Sequence, residues 1–376
     1  MSREVDVAVV GAGVLGLAHA YHLANRGLRV VVFERTPVAQ GASIRNFGML
    51  WPIGQPPGKL YRLARRSLEV WRGILSSAGI DHEPVGSLHL AYHDDEAMVL
   101  NEFVSRFGRD YSAEMLTPAQ IVNRFPAVRQ DGLRGGMFSP VEVTVDARKT
   151  LAALPYWLQR TYGVEFAFGT TVLGYDSPRV ETTAGEWTAP RMVVCAGVDF
   201  RDLAPQAFMQ AGLVPCKLQM MRSQAYSRAC RVGVMLAAGL TLRHYRAFAD
   251  CVSLPALIQR FDREMPEYGR YGIHVLLSQN SSGELFIGDS HEYGNVIEPF
   301  DKAEIDDLIL RYLHTFVAIP DLRIAARWHG IYVKHPTEPY VVAHPQPGMM
   351  AVAGVGGNGM TLSFGLAEQT IADFVS

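Results

Sequence analysis

Three glycines at a fixed spacing carry the first chemical signal. Gly11, Gly13 and Gly16 form a G-x-G-x-x-G run, with Ala12, Val14 and Leu15 between them. The first glycine permits a tight turn, the second lets a pyrophosphate approach the backbone, and the third lets a helix pack close to a strand. The N–H groups that open the following helix then face the phosphates. Glu34 stands where the next strand ends, the position from which a carboxylate holds a ribose hydroxyl, and Arg35 follows it. A carboxylate there repels a 2′-phosphate, so NADP is disfavoured, while the motif leaves NAD and FAD open. A second glycine-rich run, Gly354, Gly356, Gly357, Asn358, Gly359, Met360 and Thr361, opens the last helical stretch. A nicotinamide dehydrogenase leaves that run unexplained. A flavin uses it: backbone N–H groups and a positive helix end beside the C2 carbonyl stabilise the negative charge that gathers there on reduction.

The elements needed to position these turns are legible in the hydrophobic pattern. Val5–Val10 reads as a buried strand, Leu17–Arg26 as a helix stopped by Gly27, and Leu28–Phe33 as a second strand closed by Glu34. Helices are expected over Leu60–Ser77, Asp95–Phe107 and Thr117–Phe125, and over a stretch capped by Asp146 and running to Tyr162. Val164–Val172 and Arg191–Ala196 read as strands returning to the first sheet. Val85–His93, Leu213–Ser223, Ile273–Ser278 and Glu284–Asp289 also read as strands, the last three in a more antiparallel sheet, with Ser281-Ser282-Gly283 as the turn of a hairpin. Met349–Ala353 and a helix over Thr361–Phe374 close the chain. The pattern predicts an α/β fold. A Rossmann-like FAD-binding domain is assembled from discontinuous segments 1–85, 140–212 and 320–376. An α+β substrate-binding domain with an antiparallel sheet takes 86–139 and 213–319.

Composition narrows the function classes. The chain has 376 residues, 48% hydrophobic and 19% charged, with a formal net charge of −2. It is therefore globular, and no basic excess points to a nucleic-acid partner. Its four cysteines, Cys195, Cys216, Cys230 and Cys251, include no C-x-x-C pair. Zinc–sulfur, iron–sulfur and dithiol chemistry thus lack support, no metal is expected, and a reducing, cytoplasmic location is. No apolar run is long enough to span a bilayer. A monomer or homodimer is the expected state.

With both glycine turns placed, the chain resembles the FAD-dependent amine oxidoreductases that include D-amino-acid oxidase, glycine oxidase and monomeric sarcosine oxidase. The resemblance covers nearly the whole chain. It rests on the N-terminal fingerprint, Gly41-Ala42-Ser43-Ile44-Arg45-Asn46-Phe47-Gly48-Met49, Val145-Asp146-Ala147-Arg148, Met192-Val193-Val194-Cys195-Ala196-Gly197 and the terminal glycine run. It implies that Ser43, Arg45, Asn46, Phe47, Gly48 and Met49 lie along the cofactor, that Val172 holds the adenine by its backbone, and that Cys195, Ala196 and Gly197 pass under the nucleotide. Cys195 is then packing and not a reactive thiol. Within the family, Trp51-Pro52-Ile53-Gly54-Gln55-Pro56, Phe286 to Tyr293 and His335-Pro336-Thr337-Glu338-Pro339-Tyr340 resemble a branch linked to catabolism of aminophosphonates such as 2-aminoethylphosphonate. Two departures from the family pattern matter. After Trp328-His329-Gly330, Tyr332 falls where an Arg usually clamps a substrate carboxylate, with Lys334 two residues on. No Cys stands in that segment, where sarcosine-type enzymes attach their flavin, so noncovalent FAD is expected.

The implied reaction is oxidative deamination of a small amine, an aminoalkylphosphonate such as 2-aminoethylphosphonate or a close derivative, to an aldehyde and ammonia. The alternative is deamination or N-demethylation of a glycine-, sarcosine- or D-amino-acid-like substrate. Lys334 and Tyr332 are candidates to act on the substrate, as are His274 and His291, which flank one hairpin. Met49, Trp51 and Tyr245 join Tyr332 and Lys334 as candidate substrate contacts. His244-Tyr245-Arg246 reads more readily as a solvated helix face than as a lid.

Overall fold

The computed structural model describes residues 3–227 and 230–375. A six-stranded sheet runs in the order Glu165–Phe168, Val30–Glu34, Val7–Val10, Arg191–Val194, Met349–Ala353, Val341–Ala343. Its first five strands are parallel and the last is antiparallel. Val7–Val10 and Met349–Ala353 are buried throughout, because helices cover one face of the sheet and a second, four-stranded sheet carrying Val172, Val180 and Trp187 covers the other. Helix Val14–Ala24 follows the first glycine turn, and Gly359–Phe374 follows the last. Helix Gly359–Phe374 packs against both Val14–Ala24 and Lys59–Ala78. The Trp71 indole N–H donates to the Met360 carbonyl at 2.8 Å, and the Phe364 N–H donates to Ser67 Oγ at 3.2 Å. The first and last helices are joined directly where His22 Nε2 lies 2.9 Å from the Phe364 carbonyl and His19 Nε2 lies 3.0 Å from Thr370 Oγ1.

A larger sheet carries the other half of the molecule. Val214–Ser223 is its central long strand, flanked by Leu285–Gly288 and Glu292–Tyr293 on one side and by Ile324–Lys334 on the other. Leu276–Gln279, Met235–Ala237, Ser87–Ala91, Gly135–Ser139 and Glu114–Leu116 extend it. All its pairings are antiparallel except that between Met235–Ala237 and Ser87–Ala91. Among the described residues no helix is long and apolar enough to cross a membrane.

The mixed α/β architecture expected from the pattern is present, with four differences in detail. The first helix begins at Val14, three residues before Leu17, because Gly13 is its extended N-cap residue. Its free N–H groups therefore fall within the glycine turn. The expected strand Val164–Val172 is split: Glu165–Phe168 joins the parallel sheet, while Val172–Asp176 belongs to a separate four-stranded sheet with Arg179–Thr182, Gly185–Thr188 and Arg3–Glu4. Gly169, at φ +67°, breaks the run. Ile324–Lys334, which shows no clean alternation, is a strand of eleven residues. It pairs with Val214–Ser223 along its length, so the larger sheet takes in residues beyond 319. Helices Leu254–Glu264 and Ala303–Phe316 were also not anticipated.

Candidate functional site

Two glycine turns close on one cavity. The first turn is forced by close backbone approach. Gly11 sits at φ +101°, and a Cβ there would lie 2.7 Å from the Cys195 carbonyl oxygen; a Cβ on Gly16 would lie 1.8 Å from the Gly11 carbonyl oxygen. Only glycine fits either position. Side chains from distant segments brace the turn. Glu34 accepts the Ala12 N–H at 3.0 Å through Oε2 and the Thr36 N–H at 3.1 Å through Oε1. Ser43 Oγ accepts the Val14 N–H at 3.0 Å. Ser43 belongs to the loop that also carries Arg45, Asn46 and Phe47. Asn46 holds that loop in shape: its amide N donates to the Ser43 carbonyl at 2.8 Å, and its Oδ1 accepts the Gly48 N–H at 2.8 Å.

The cavity measures about 970 Å³. Its wall includes Gly11, Gly13, Val14, Leu15, Glu34 and Arg35 from the first turn; Ser43, Arg45, Asn46 and Phe47; Val172; Cys195, Ala196 and Gly197; and Gly330 with Gly354, Gly356, Gly357, Asn358, Gly359 and Met360. The second glycine turn abuts the larger sheet: a Cβ on Gly356 would meet the Lys334 chain at 3.5 Å, and one on Gly357 would meet the Tyr332 ring at 3.9 Å. Strand register puts Tyr332 opposite Cys216 and Gly330 opposite Leu218, so Leu218, Gly330 and Tyr332 face the cavity together.

This shape suits a dinucleotide carrying a ring system. A strand–turn–helix cradle with a carboxylate at its lip lies at one part of the wall, and a second helix N-terminus with polar backbone lies at another. The chain matches the profile of the DAO family, described as FAD dependent oxidoreductase, over residues 6–373. The chain belongs to this family. It is an FAD-dependent oxidoreductase. A glycine oxidase of Geobacillus kaustophilus (strain HTA426) is 26% identical over 392 residues, covering 100% of this chain and 94% of that relative. A mitochondrial sarcosine dehydrogenase of Mus musculus is 27% identical over 231 residues, covering 57% of this chain and 25% of that protein. The solved structure of L-proline dehydrogenase from P. horikoshii superposes with a TM-score of 0.81 at 20% identity, covering 100% of this chain and 94% of that one, which is a likeness of fold.

Not every expected residue of the oxidoreductase reaches the cavity. Ala12 is buried behind the turn with its N–H taken by Glu34, and Gly16 packs on Gly11. Gly48 packs against the Val145 backbone, and Met49 pairs in a short strand with Thr144. Trp51 is buried against His89 and Tyr245, at ring-centroid distances of 5.4 and 6.2 Å. Thr361 turns away from the cavity, its Oγ1 accepting the Trp51 N–H at 3.0 Å. These six support the wall without forming it, because each sits one layer behind a residue whose backbone or ring does. Arg35, on the wall, is tied to Asp199 at 2.7 Å.

The candidate substrate residues meet in one cluster. Tyr245, Tyr332, Lys334, His274 and His291 all line the cavity. The His291 and Tyr332 rings are 6.3 Å apart, and those of Tyr245 and His274 are 5.5 Å apart. Lys334 reaches the rim, with Nζ 5.8 Å from the Tyr293 ring centre. Burial pushes the phenols of Tyr332 and Tyr245 well up, so both remain hydrogen-bond donors through neutral pH. Burial holds His291 down to about 4, so its imidazole is neutral there. Cys195 lines the cavity, and burial keeps its thiol protonated, which fits packing and not nucleophilic chemistry.

His244 and Asp289 are titratable wall residues that were not anticipated as site residues. His244-Tyr245-Arg246 is not a solvated helix face as a whole: His244 and Tyr245 are half-buried on the cavity wall, the His244 ring stacking on His274 at 3.7 Å, and Arg246 is the exposed member. Asp289 Oδ1 lies 3.0 Å from His274 Nε2. The intervals between residues 244, 274, 289 and 291 carry no motif; strand pairing and helix placement bring them together. The His335–Pro339 segment also lines the cavity, held by Arg246, whose Nη1 donates to the Thr337 carbonyl at 3.0 Å.

Proposed function

We propose that this oxidoreductase oxidises a small amine, specifically an aminoalkylphosphonate of the 2-aminoethylphosphonate type. The relatives are named for glycine, sarcosine and proline, all amines, which supports a carbon–nitrogen bond as the site of oxidation. The carbon gives up one hydrogen with its electron pair and the nitrogen one proton, so that an imine forms, and water hydrolyses it to the aldehyde and ammonia. FAD, when bound, supplies the two-electron acceptor. The chain orients the amine, excludes bulk water, and neutralises the remote anion.

The observation that carries the phosphonate reading is the joint presence of Tyr332 and Lys334 on the wall beside the second glycine turn. A phosphonate offers three acceptor oxygens and up to two charges, and is best met by several donors arranged around it. A carboxylate is better met by one planar guanidinium fork, and Tyr332 occupies that position in the strand. Glycine, sarcosine or a D-amino acid is the second reading, favoured by the glycine oxidase whose sequence aligns with the whole chain.

FAD in this reading is held noncovalently by Gly11 to Leu15, Glu34, Ser43, Asn46 and the Gly354–Met360 turn. Strand Ile324–Lys334 holds no cysteine; Cys216 pairs opposite Tyr332 but is buried and does not line the cavity. The test is anaerobic bleaching of the protein-bound flavin by a panel of amines. 2-Aminoethylphosphonate should reduce it faster than glycine, sarcosine or D-alanine. Faster reduction by one of the amino acids overturns the phosphonate reading in favour of the second. Acid precipitation should leave all yellow colour in the supernatant; colour in the pellet overturns the noncovalent attachment.

A further inference from the structure

His244, His274 and His291 each turn a ring nitrogen toward the others. One such nitrogen from each lies within 4.8 Å of the other two. Two of the rings have a partner behind them. His291 Nδ1 lies 3.0 Å from the Gly272 carbonyl, which can only accept, so Nδ1 carries the hydrogen and Nε2 keeps the lone pair. His274 Nε2 faces Asp289 Oδ1 at 3.0 Å, which leaves Nδ1 for the cluster. His291 has the arrangement of a metal-binding histidine, its second nitrogen fixed by a carbonyl and its first left as a ligand, and a carboxylate stands in the matching place behind His274.

Two orphaned atoms say what the cluster lacks. His274 Nδ1 is buried and has no hydrogen-bond partner among the described residues. Asp289 Oδ1 is buried too, and its contact with His274 is not aligned as a hydrogen bond. A buried carboxylate without a well-aligned donor, next to three imidazoles, lacks a positive charge. Lys334 and Arg243 are the cations within electrostatic reach of His244. Both repel a proton or metal there, so Asp289 is the group that offsets them.

We propose that His244, His274 and His291 bind one divalent transition-metal ion, with Asp289 orienting His274 and one coordination position open to the cavity. Imidazole ligands suit zinc, iron, nickel and copper, and three neutral nitrogens with an open fourth position match tetrahedral zinc best. The His244 and His274 rings are stacked with their planes 29° apart, and the His274 and His291 planes are 19° apart, so the lone pairs are near each other without converging. Coordination at about 2.0–2.1 Å therefore requires the His244 ring and one of the other two to turn about their soft outer torsions. The open position would take an oxygen of an anionic substrate; this use rests on the phosphonate reading, whereas the metal site itself does not.

The experiment uses tag-free, FAD-loaded protein stripped of metal by chelator and titrated with Co²⁺ as an optical probe. One Co²⁺ per chain should bind, give ligand-field bands, and be displaced by Zn²⁺. His274→Ala and His291→Ala should each weaken binding by at least about tenfold. His329→Ala, whose ring pairs with Asp301 outside this cavity, should bind like the parent. Retained flavin absorbance certifies that each variant is folded, and His274→Gln serves where the alanine variant is not. Absence of saturable binding, or binding unchanged in both cluster variants, overturns the site. Methylphosphonate should then shift the cobalt bands. If Co²⁺ binds as expected but the bands do not move, the open position and the anion contact fail while the metal site stands.

Discussion

Glu34 Oε2 accepts the backbone N–H of Ala12 at 3.0 Å, joining the end of one strand to the turn that leaves its neighbour. Its other oxygen is shared with the Thr36 N–H and hydroxyl. The carboxylate therefore shapes the glycine turn as well as standing at the cavity where a ribose would lie. Glu34→Ala should raise the FAD dissociation constant by about tenfold to a hundredfold, the loss of charged hydrogen bonds worth about 1.5–3 kcal/mol. Glu34→Gln should fall between, since the amide keeps one acceptor. Flavin fluorescence during dilution or dialysis measures this. Parent-like affinity in Glu34→Ala removes Glu34 from the cofactor site.

Two glycines should respond in opposite directions to the same substitution. Gly16→Ala places a Cβ 1.8 Å from the Gly11 carbonyl oxygen, and backbone cannot yield there without opening the turn. Gly73 lies inside helix Lys59–Ala78, and its added Cβ would meet no atom within 4 Å. Gly73→Ala should therefore stabilise by about 0.5–1 kcal/mol through helix propensity. Gly16→Ala should lower Tm and expel FAD. Thermal melts of the two variants with flavin release as a second signal give the answer; a Gly16→Ala protein that keeps its flavin contradicts the packing argument.

Lys334→Met should separate charge from shape in the substrate contact. Loss of one charged contact costs about 1.5–3 kcal/mol, or roughly tenfold to a hundredfold in kcat/KM. That loss is expected for 2-aminoethylphosphonate and not for an uncharged amine of similar size, such as propylamine. Steady-state rates with both substrates measure it, and an equal loss for the two would assign Lys334 a general role instead of an anion contact.

Glu142 links stability to pH away from the cavity. It is buried, accepts the Ile53 N–H at 3.2 Å and the Ser87 hydroxyl at 3.0 Å, and burial pushes its carboxyl up to about 7. Between pH 4.5 and 7 the unfolded chain has released this proton and the folded chain retains it. The folded-state pKa is raised, so this group's contribution is lost as pH rises through that window, on the order of 3 kcal/mol in full. Glu142→Gln removes the titration and keeps the shape. The variant's Tm should gain on the parent's between pH 5 and pH 8; a difference independent of pH would show that Glu142 does not titrate there.

The sequence by itself determined the parts whose physics is local. The glycine spacing, the β-branched strands and Glu34 marked the first turn, because a chain passing within contact of its own carbonyl tolerates no side chain. The resemblance added Ser43 and Asn46, whose local hydrogen bonds shape the loop they occupy. The second turn was legible because its glycines include Gly354 and Gly356, at φ +76° and +56°, where a side chain would be strained. Tertiary structure alone decided which side of each segment faces the cavity. Thr361 follows the wall residue Met360 directly yet accepts the Trp51 N–H behind the wall. Ile324–Lys334 became a strand because a partner ten residues long lay beside it, a pairing that no local preference records. His244, Asp289 and the two hairpin histidines met because separate elements deliver them to one place. A cluster built from long-range contacts leaves no spacing to read, since its distances are set by how a sheet and a short helix pack and not by the chain that joins them.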